Sequence, residues 1–455
     1  MPGQRTLAWT NGIGSPQCEL TRYGIRLYGN YDVGVGYQTA GAPFNGTSPF
    51  GTTYPIHRNN LRPTWTLASN GLSNSAIGIQ AFEPFAPEWA FVFDYSVYFN
   101  PYSLQLQNGI GSIYQNRGLP LALQTSNYDS SRNGQPWNNT AYLGVSSPTY
   151  GTLTFFRQLA LTTDAVLAYD SLPSANAFSF ISFDGTTCGV GTTEDCGPTT
   201  SAKYRVQIGP VRLAALWQFG GYAQNNASNG AYQFQVGADI PHLANGTLSV
   251  DAIYSHVKDA VSVGLAGNPL GAGGNPLPPF LPQVFTATIS DDTSVMLLAR
   301  YTNGPLKLYG GYEWIQFAPP SDLQTAFNDI SGDFICLGCA KINNTNINNT
   351  LYLAHDRIEQ VFWTGAKYAV TDKLDVMGGY YHYLQDSFGV VHCTTAALST
   401  CRGTLDAVSL AVDWKFAAKF DAYAGFMYSQ VNNGLANGFL HRSAIDPTAG
   451  IRFQF

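Results

Sequence analysis

The sequence predicts an all-β chain, a single closed, antiparallel, up-and-down barrel of about sixteen membrane-spanning strands. Three observations carry the prediction. Charge is scarce without a surplus of apolar residues, hydrophobicity alternates with a period of two, and the alternating segments are joined by tight turns and long loops in strict succession.

Of 455 residues only 11% are charged, well below the roughly 25% of an average globular chain. Aromatic residues reach 14% and hydrophobic residues 45%, while mean hydropathy stays near neutral at -0.07. A face that meets hydrocarbon must shed charge, and a face that lines water can stay polar, which accounts for both figures. No run of about 18 apolar residues exists, so spanning helices are excluded. Closed barrels are the other way to satisfy backbone hydrogen bonds inside a bilayer. The net charge of -6 and the absence of a basic stripe argue against a nucleic-acid partner. The first residues lack a charged stretch followed by an apolar core, so no signal peptide is expected within them. Residues 1–21 read as a lead-in segment and 22–455 as one barrel domain.

Along the chain, period two appears in Arg26 to Tyr37, Trp89 to Phe99, Ser201 to Gly209, Val211 to Phe219 and Tyr232 to Asp239. It continues in Leu248 to Tyr254, Ser294 to Tyr301, Leu306 to Trp314, Val408 to Phe416 and Ile451 to Phe455. In Ser201 to Gly209, Tyr204, Val206 and Ile208 point one way and Lys203, Arg205 and Gln207 the other, the pattern of a half-buried strand. Helical periodicity is sustained nowhere. Short connections fall at Glu83 to Pro87, Ser147 to Tyr150, Gly209-Pro210, Pro241 to Gly246, Thr302 to Gly304, Thr371-Asp372 and Ala417-Ala418. Long ones fall near 38–74, 100–137, 158–200, 222–230, 263–291, 318–357, 385–403 and 429–448. Seven turns and eight loops imply about sixteen strands, with short periplasmic turns and long extracellular loops. A barrel of that size leaves an aqueous channel. The Gly/Pro-rich 264–283 cannot form a strand or helix, and Asn-rich 337–350 reads as polar loop.

Cys188 and Cys196, Cys336 and Cys339, and Cys393 and Cys401 lie pairwise within single loops, as local disulfides of an oxidising compartment would. The rival reading of Cys336 and Cys339 as half a zinc site lacks a second pair or a nearby His. Cys18 is left over.

If one parity meets lipid, the other lines water. That places Arg26, Lys203, Arg205, Arg212, Arg300, Lys307 and Arg452 inside, with Asp32, Asp94, Asp239, Asp251, Glu313 and Asp413. Charges lining a pore stay hydrated and select solutes by sign. Arg157 shares parity with the lipid-facing Leu153 and Phe155, so it is luminal only if its strand bends or ends there. Tyr37, Trp89, Tyr222, Trp314, Trp363 and Trp414 suit aromatic girdles at the two interfaces. The last strand ends with Ile451, Phe453 and Phe455 on one face.

At these residues a resemblance emerges. Arg22 to Tyr37, with Leu27-Tyr28-Gly29 followed by Asp32, resembles the first strand of the general diffusion porins of Gram-negative bacteria, the trimeric, 16-stranded, alphaproteobacterial-like kind. Ala141 to Gln158 is similar to that family's fourth and fifth strands, which end in an Arg before the pore loop. The resemblance runs from Arg22 to Phe455. It implies a homotrimer in the outer membrane, contacting lipid and lipopolysaccharide, and passing ions and small hydrophilic solutes. It also implies that the last strand is read by barrel-insertion machinery, and that a third loop, here 158–200, folds into the lumen. That loop carries Asp164 and Asp170, which would face a basic wall of Arg26, Arg157, Lys203 and Arg205. One departure stands out: Ala76 and Gln80 occupy the second-strand positions where the family has basic residues, which removes part of its basic ladder.

No enzyme, cofactor or metal site is expected. Motifs for nucleophilic serine, zinc-protease and phosphate-loop chemistry are missing, and Asp184 to Gly197 lacks calcium-loop spacing. Ser255-His256 at a strand end reads as an interface pair. Two other expectations for the barrel remain to be weighed against the passive pore: a channel with a binding site for one solute class, and a plugged structural or adhesive barrel.

Overall fold

A computed structural model describes residues 20–22, 24–39, 63–99, 101–102, 104, 139–181, 201–219, 230–263, 285–318, 339–342, 345–348, 356–388, 401–434 and 442–455. The sixteen wall strands are β1 (Ile25–Gln38), β2 (Thr64–Ser69, resumed as Ala76–Ala86), β3 (Trp89–Tyr98), β4 (Ala141–Ser147) and β5 (Gly151–Arg157). They continue with β6 (Ser201–Ile208), β7 (Val211–Gln218), β8 (Gly230–Leu243), β9 (Gly246–Val263), β10 (Phe285–Asn303) and β11 (Leu306–Ala318). The last five are β12 (Arg357–Thr371), β13 (Leu374–Gln385), β14 (Gly403–Ala417), β15 (Phe420–Asn433) and β16 (Ser443–Gln454). Each pairs antiparallel with its neighbour. β16 returns to β1 through a register running from Asn30↔Gln454 to Gly36↔Thr448, which closes the barrel. Closure removes the sheet edges that a bilayer could not satisfy. One extra short strand, Leu20–Arg22, pairs with Ile25–Leu27.

Seven connections are tight and eight are long, as the sequence predicts. The β8–β9 turn shows why the short ones are short. Ala244 and Asn245 both take positive φ (45° and 66°), the handedness that matches the twist of flanking strands. Pro241 belongs to β8 rather than to the turn, beside a register shift between Ile240 and Leu243. Within the Asn-rich stretch read as polar loop, Cys339–Ile342 and Thr345–Asn348 pair as a small hairpin.

Alternation has the expected outward half. Val35, Leu67, Ile79, Leu213, Val236, Leu297, Val408 and Leu410 are exposed on the outer wall. Aromatic residues cluster toward the strand ends: Trp89 stacks on Tyr150 at 5.7 Å, and Phe420, Phe453 and Phe455 form a row at 4.8 and 5.5 Å. No helix among the described residues is long and apolar enough to cross a membrane; the crossing is made by strands.

The inward half departs from expectation. Among the lumen-facing positions of β9 to β15, which also carry buried polar groups such as Ser255, Ser294 and Glu359, Ile253, Met296, Ile315, Phe317, Val361, Tyr381, Leu405 and Met427 form a buried apolar cluster. Water does not cover them. The loop after β5 does, and it brings its own apolar side chains.

Β2 is broken at 70–75, and β1 uses one edge for both halves: Ile25–Asn30 pairs with Ala76–Ala81, and Val33–Gln38 with Thr64–Ser69. The break turns on Asn70, at φ 61°. Asp32, fully buried, organises it by accepting the backbone N–H groups of Leu72 (2.9 Å) and Ser73 (2.8 Å) and the Tyr423 hydroxyl (2.6 Å). Its own N–H donates to Ser75 Oγ. Leu72, Ser73 and Asn74 thereby reach the lumen.

Candidate functional site: the inward loop and the slot it leaves

After β5 the chain enters the lumen. Phe156 takes φ +81°, so Phe155 and Phe156 are both exposed and the alternation ends before Arg157. A short helix follows, α1 (Leu161–Tyr169), inside the stretch where no helix was expected. It has no side-chain cap of its own. A wall residue supplies one: Gln233 Oε1 accepts the Leu161 N–H at 2.6 Å, satisfying one of the donors that a helix start leaves unpaired. Leu161, Ala165, Val166 and Tyr169 fall on one face and join the wall's apolar cluster. A helix this short is marginal alone and owes its stability to that packing.

Wall groups also hold the helix's other end. Trp363 Nε1 donates to Tyr169 O at 3.0 Å, and Arg300 donates to Ala168 O at 3.1 Å, a cation placed where the helix dipole is negative. The Tyr169 hydroxyl bonds Asp251. Burial first, and then the Asp251 charge, push the Tyr169 phenol up, so it remains a donor. Arg212 closes the set with ion pairs to Asp239 (2.5 Å) and Asp251 (2.8 Å). Trp363 therefore does not belong to an outer girdle; it is 4% exposed and faces inward. Its indole lies over Gly311, where a Cβ would come within 2.0 Å of the ring.

From Asp170 onward the loop crosses to the opposite wall. Asp170 is buried and accepts hydrogen bonds from Tyr381 (2.9 Å), the Ser179 hydroxyl and the Leu172 N–H. Ser171 donates to Gly378 O and sits over Gly365. Phe178 packs edge-on to Tyr423 at 6.0 Å, and the Ala177 N–H donates to Gly71 O in the β2 break. Asp170 thus stays out of the open lumen.

Among the described residues a slot of about 730 Å³ stays open between the loop, the walls of β1 to β6 and parts of β12, β13, β14 and β16. Charged residues line it in two groups. Asp164, on α1, pairs with Lys203 at 3.0 Å and with Arg205, so the acid and the bases meet directly instead of facing each other across open water. On the other side are Lys367, Asp413 and Arg452, with Arg452 held by Asp421 at 2.7 Å. Asp94 also lines the slot, receiving the Tyr28 hydroxyl at 2.8 Å.

The other predicted positions are spread more widely. Arg26 is half-buried opposite Gln80 and does not line the slot. Arg157 donates to Asn139 O at 3.2 Å. Lys307 is exposed beside the β10–β11 turn, opposite Lys367. Glu313 is fully buried on the apolar side. Asp32 serves the β2 break. Ile451 is exposed on the outer wall, and Phe455 exchanges backbone hydrogen bonds with Gly29. Cys188, Cys196, Cys336 and Cys393 lie outside the described residues, as does the side chain of Cys339. Cys401 is buried and enters a disulfide, its pairing likewise outside them. Sequence reasoning missed Lys367, Gln233 and the inward role of Trp363. Lys367 was within reach, since it continues the inward parity of Glu359, Val361 and Trp363. Among the described residues no group of His, Cys, Asp and Glu is arranged to hold a metal.

A closed barrel of sixteen strands with a loop fastened inside is a channel architecture, and the family comparison agrees. Residues 14–434 match the model of the Gram-negative porins. The chain belongs to that family. It is an outer-membrane diffusion channel, of a family and fold whose members are non-enzymatic. Among solved structures the porin is similar to the anion-selective porin from Comamonas acidovorans, at 14% identity and TM-score 0.57, over 95% of this chain and 99% of that one. It is also similar to a trimer form of OmpT from Vibrio cholerae, at 14% identity and TM-score 0.54, over 95% and 99%. The channel DcaP of Acinetobacter baumannii matches at 12% identity and TM-score 0.51, over 96% and 99%. No curated protein matches the sequence.

Proposed function

We propose that this porin works as a passive homotrimer, admitting ions and small hydrophilic solutes through one slot per barrel, with Lys203, Arg205 and Asp164 setting its charge preference. The slot itself carries the reading: about 730 Å³ of lumen stays open, lined largely by charged and polar groups. The trimer form of the Vibrio cholerae relative supports the assembly. Lipid and lipopolysaccharide would cover the exposed apolar band, and Ile451, Phe453 and Phe455 would present the strand recognised during insertion. The three cysteine pairs would staple extracellular loops.

Single-channel recording in a planar bilayer tests this. Ohmic steps in groups of three are expected, with a reversal potential under a salt gradient that reports selectivity. Folded, heat-modifiable protein that stays silent would mean a plugged barrel.

A further inference from the structure

The slot has two unlike faces. Toward the wall it presents neutral hydrogen-bonding groups, among them Gln80, Tyr142, Thr152 and Gln207, none of them fully buried. Toward the loop it presents Leu167, half-buried, and Pro173, exposed, with Leu172 behind them. The loop's one acid in the slot, Asp164, is spent on Lys203 and Arg205. Arg452 is likewise held between Asp413 and Asp421. The lining cations are therefore each paired within their own groups, with about one positive unit left at Lys203, Arg205 and Asp164, and beside that charge the slot sets a polar wall against an apolar patch of the loop.

A purely apolar solute would strip water from the amides and hydroxyls of this slot without replacing it. A ring with a hydroxyl edge and a C–H face satisfies both walls at once. From this geometry we propose that the slot is a binding subsite for uncharged pyranose saccharides of one or two rings. Their hydroxyls bond Gln80, Tyr142, Thr152 and Gln207, and a ring face lies on Leu167 and Pro173. The cavity volume falls within the roughly 300–1,000 Å³ of small-molecule sites. The inference rests on the channel reading and narrows it.

The test titrates maltose against the ion current of reconstituted protein, with sorbitol at matched viscosity as the control. A saturable fall in current with maltose, not matched by sorbitol, is expected. The double variant Leu167→Gln, Pro173→Gln should raise the half-saturating concentration about tenfold, the loss that one well-packed apolar contact of about 1.4 kcal/mol implies. Equal, unsaturating falls with both solutes would overturn the proposal, as would saturable block by a small phenol with none by maltose. Equilibrium dialysis with labelled maltose reads the same site without any current. If folded protein conducts nothing yet binds maltose, the channel reading fails and the subsite stands; if it conducts and does not bind, the subsite alone fails.

Discussion

Asp164 shows what a single side chain does here. It sits on α1 within 3.0 Å of Lys203 and in contact with Arg205, leaving that group with a net charge of about one positive unit. Replacing it with Asn should leave two cations uncompensated beside the slot. A unit charge ~10 Å from a permeating ion in a water-like medium is worth roughly 0.4 kcal/mol, about twofold in partitioning. The anion-to-cation permeability ratio of Asp164→Asn should therefore rise at least about twofold, read from the reversal potential. The pair Lys203→Met, Arg205→Met should move it the other way. No movement in either variant would remove this group from the permeation path. Asp32 works differently: it anchors two backbone amides and a phenol. Charge-assisted bonds of this kind contribute about 1.5–3 kcal/mol each. Asp32→Ala should lower the unfolding temperature and speed amide exchange at Leu72 and Ser73; unchanged exchange there would show that the break holds itself.

At the level of elements, the inward loop is fastened by packing. Phe178 is fully buried against Tyr423, and Phe178→Ala should cost about 3–5 kcal/mol. Because the β2 break holds that end of the loop, the expected readout is a larger, noisier conductance from protein that still folds. Gly311→Ala would drive the Trp363 ring from its seat and loosen its bond to Tyr169 O, with the same direction of effect. A conductance identical to wild type in both would mean that the loop is held elsewhere. The sequence showed the strands and their connections because lipid on one side and turns at one end impose strong, repeating patterns. It did not show the loop's seat, because an apolar residue at luminal parity looks like noise in an alternating strand. The trace was present in Tyr380 to Tyr383 and Leu410 to Val412, where both parities are apolar or aromatic, as in strands covered on both faces. Asp164 was legible as a loop acid after Arg157. That it would be paired, and Asp170 buried, depended on where the loop lands.

For the whole molecule, the wall is continuous because β1 meets β16, and the last residue takes part: Phe455 exchanges N–H and C=O with Gly29. Removing Phe455 should reduce the heat-modifiable folded fraction recovered from membranes, while β9 to β11 keep their pairing; an unchanged yield would separate the terminal aromatic from assembly. The inward loop also gives the molecule an order in time. It leaves the wall after β5, yet Tyr169 waits for Trp363, 194 residues later, and Asp170 for Tyr381, 211 residues later. Contacts over such separations form slowly. Until β12 and β13 are in place the loop has only the first part of its seat, on β6 to β10, so in a half-made barrel its far end would hang unfastened. The narrowing of the channel is in effect the chain's own record that its circumference has been completed.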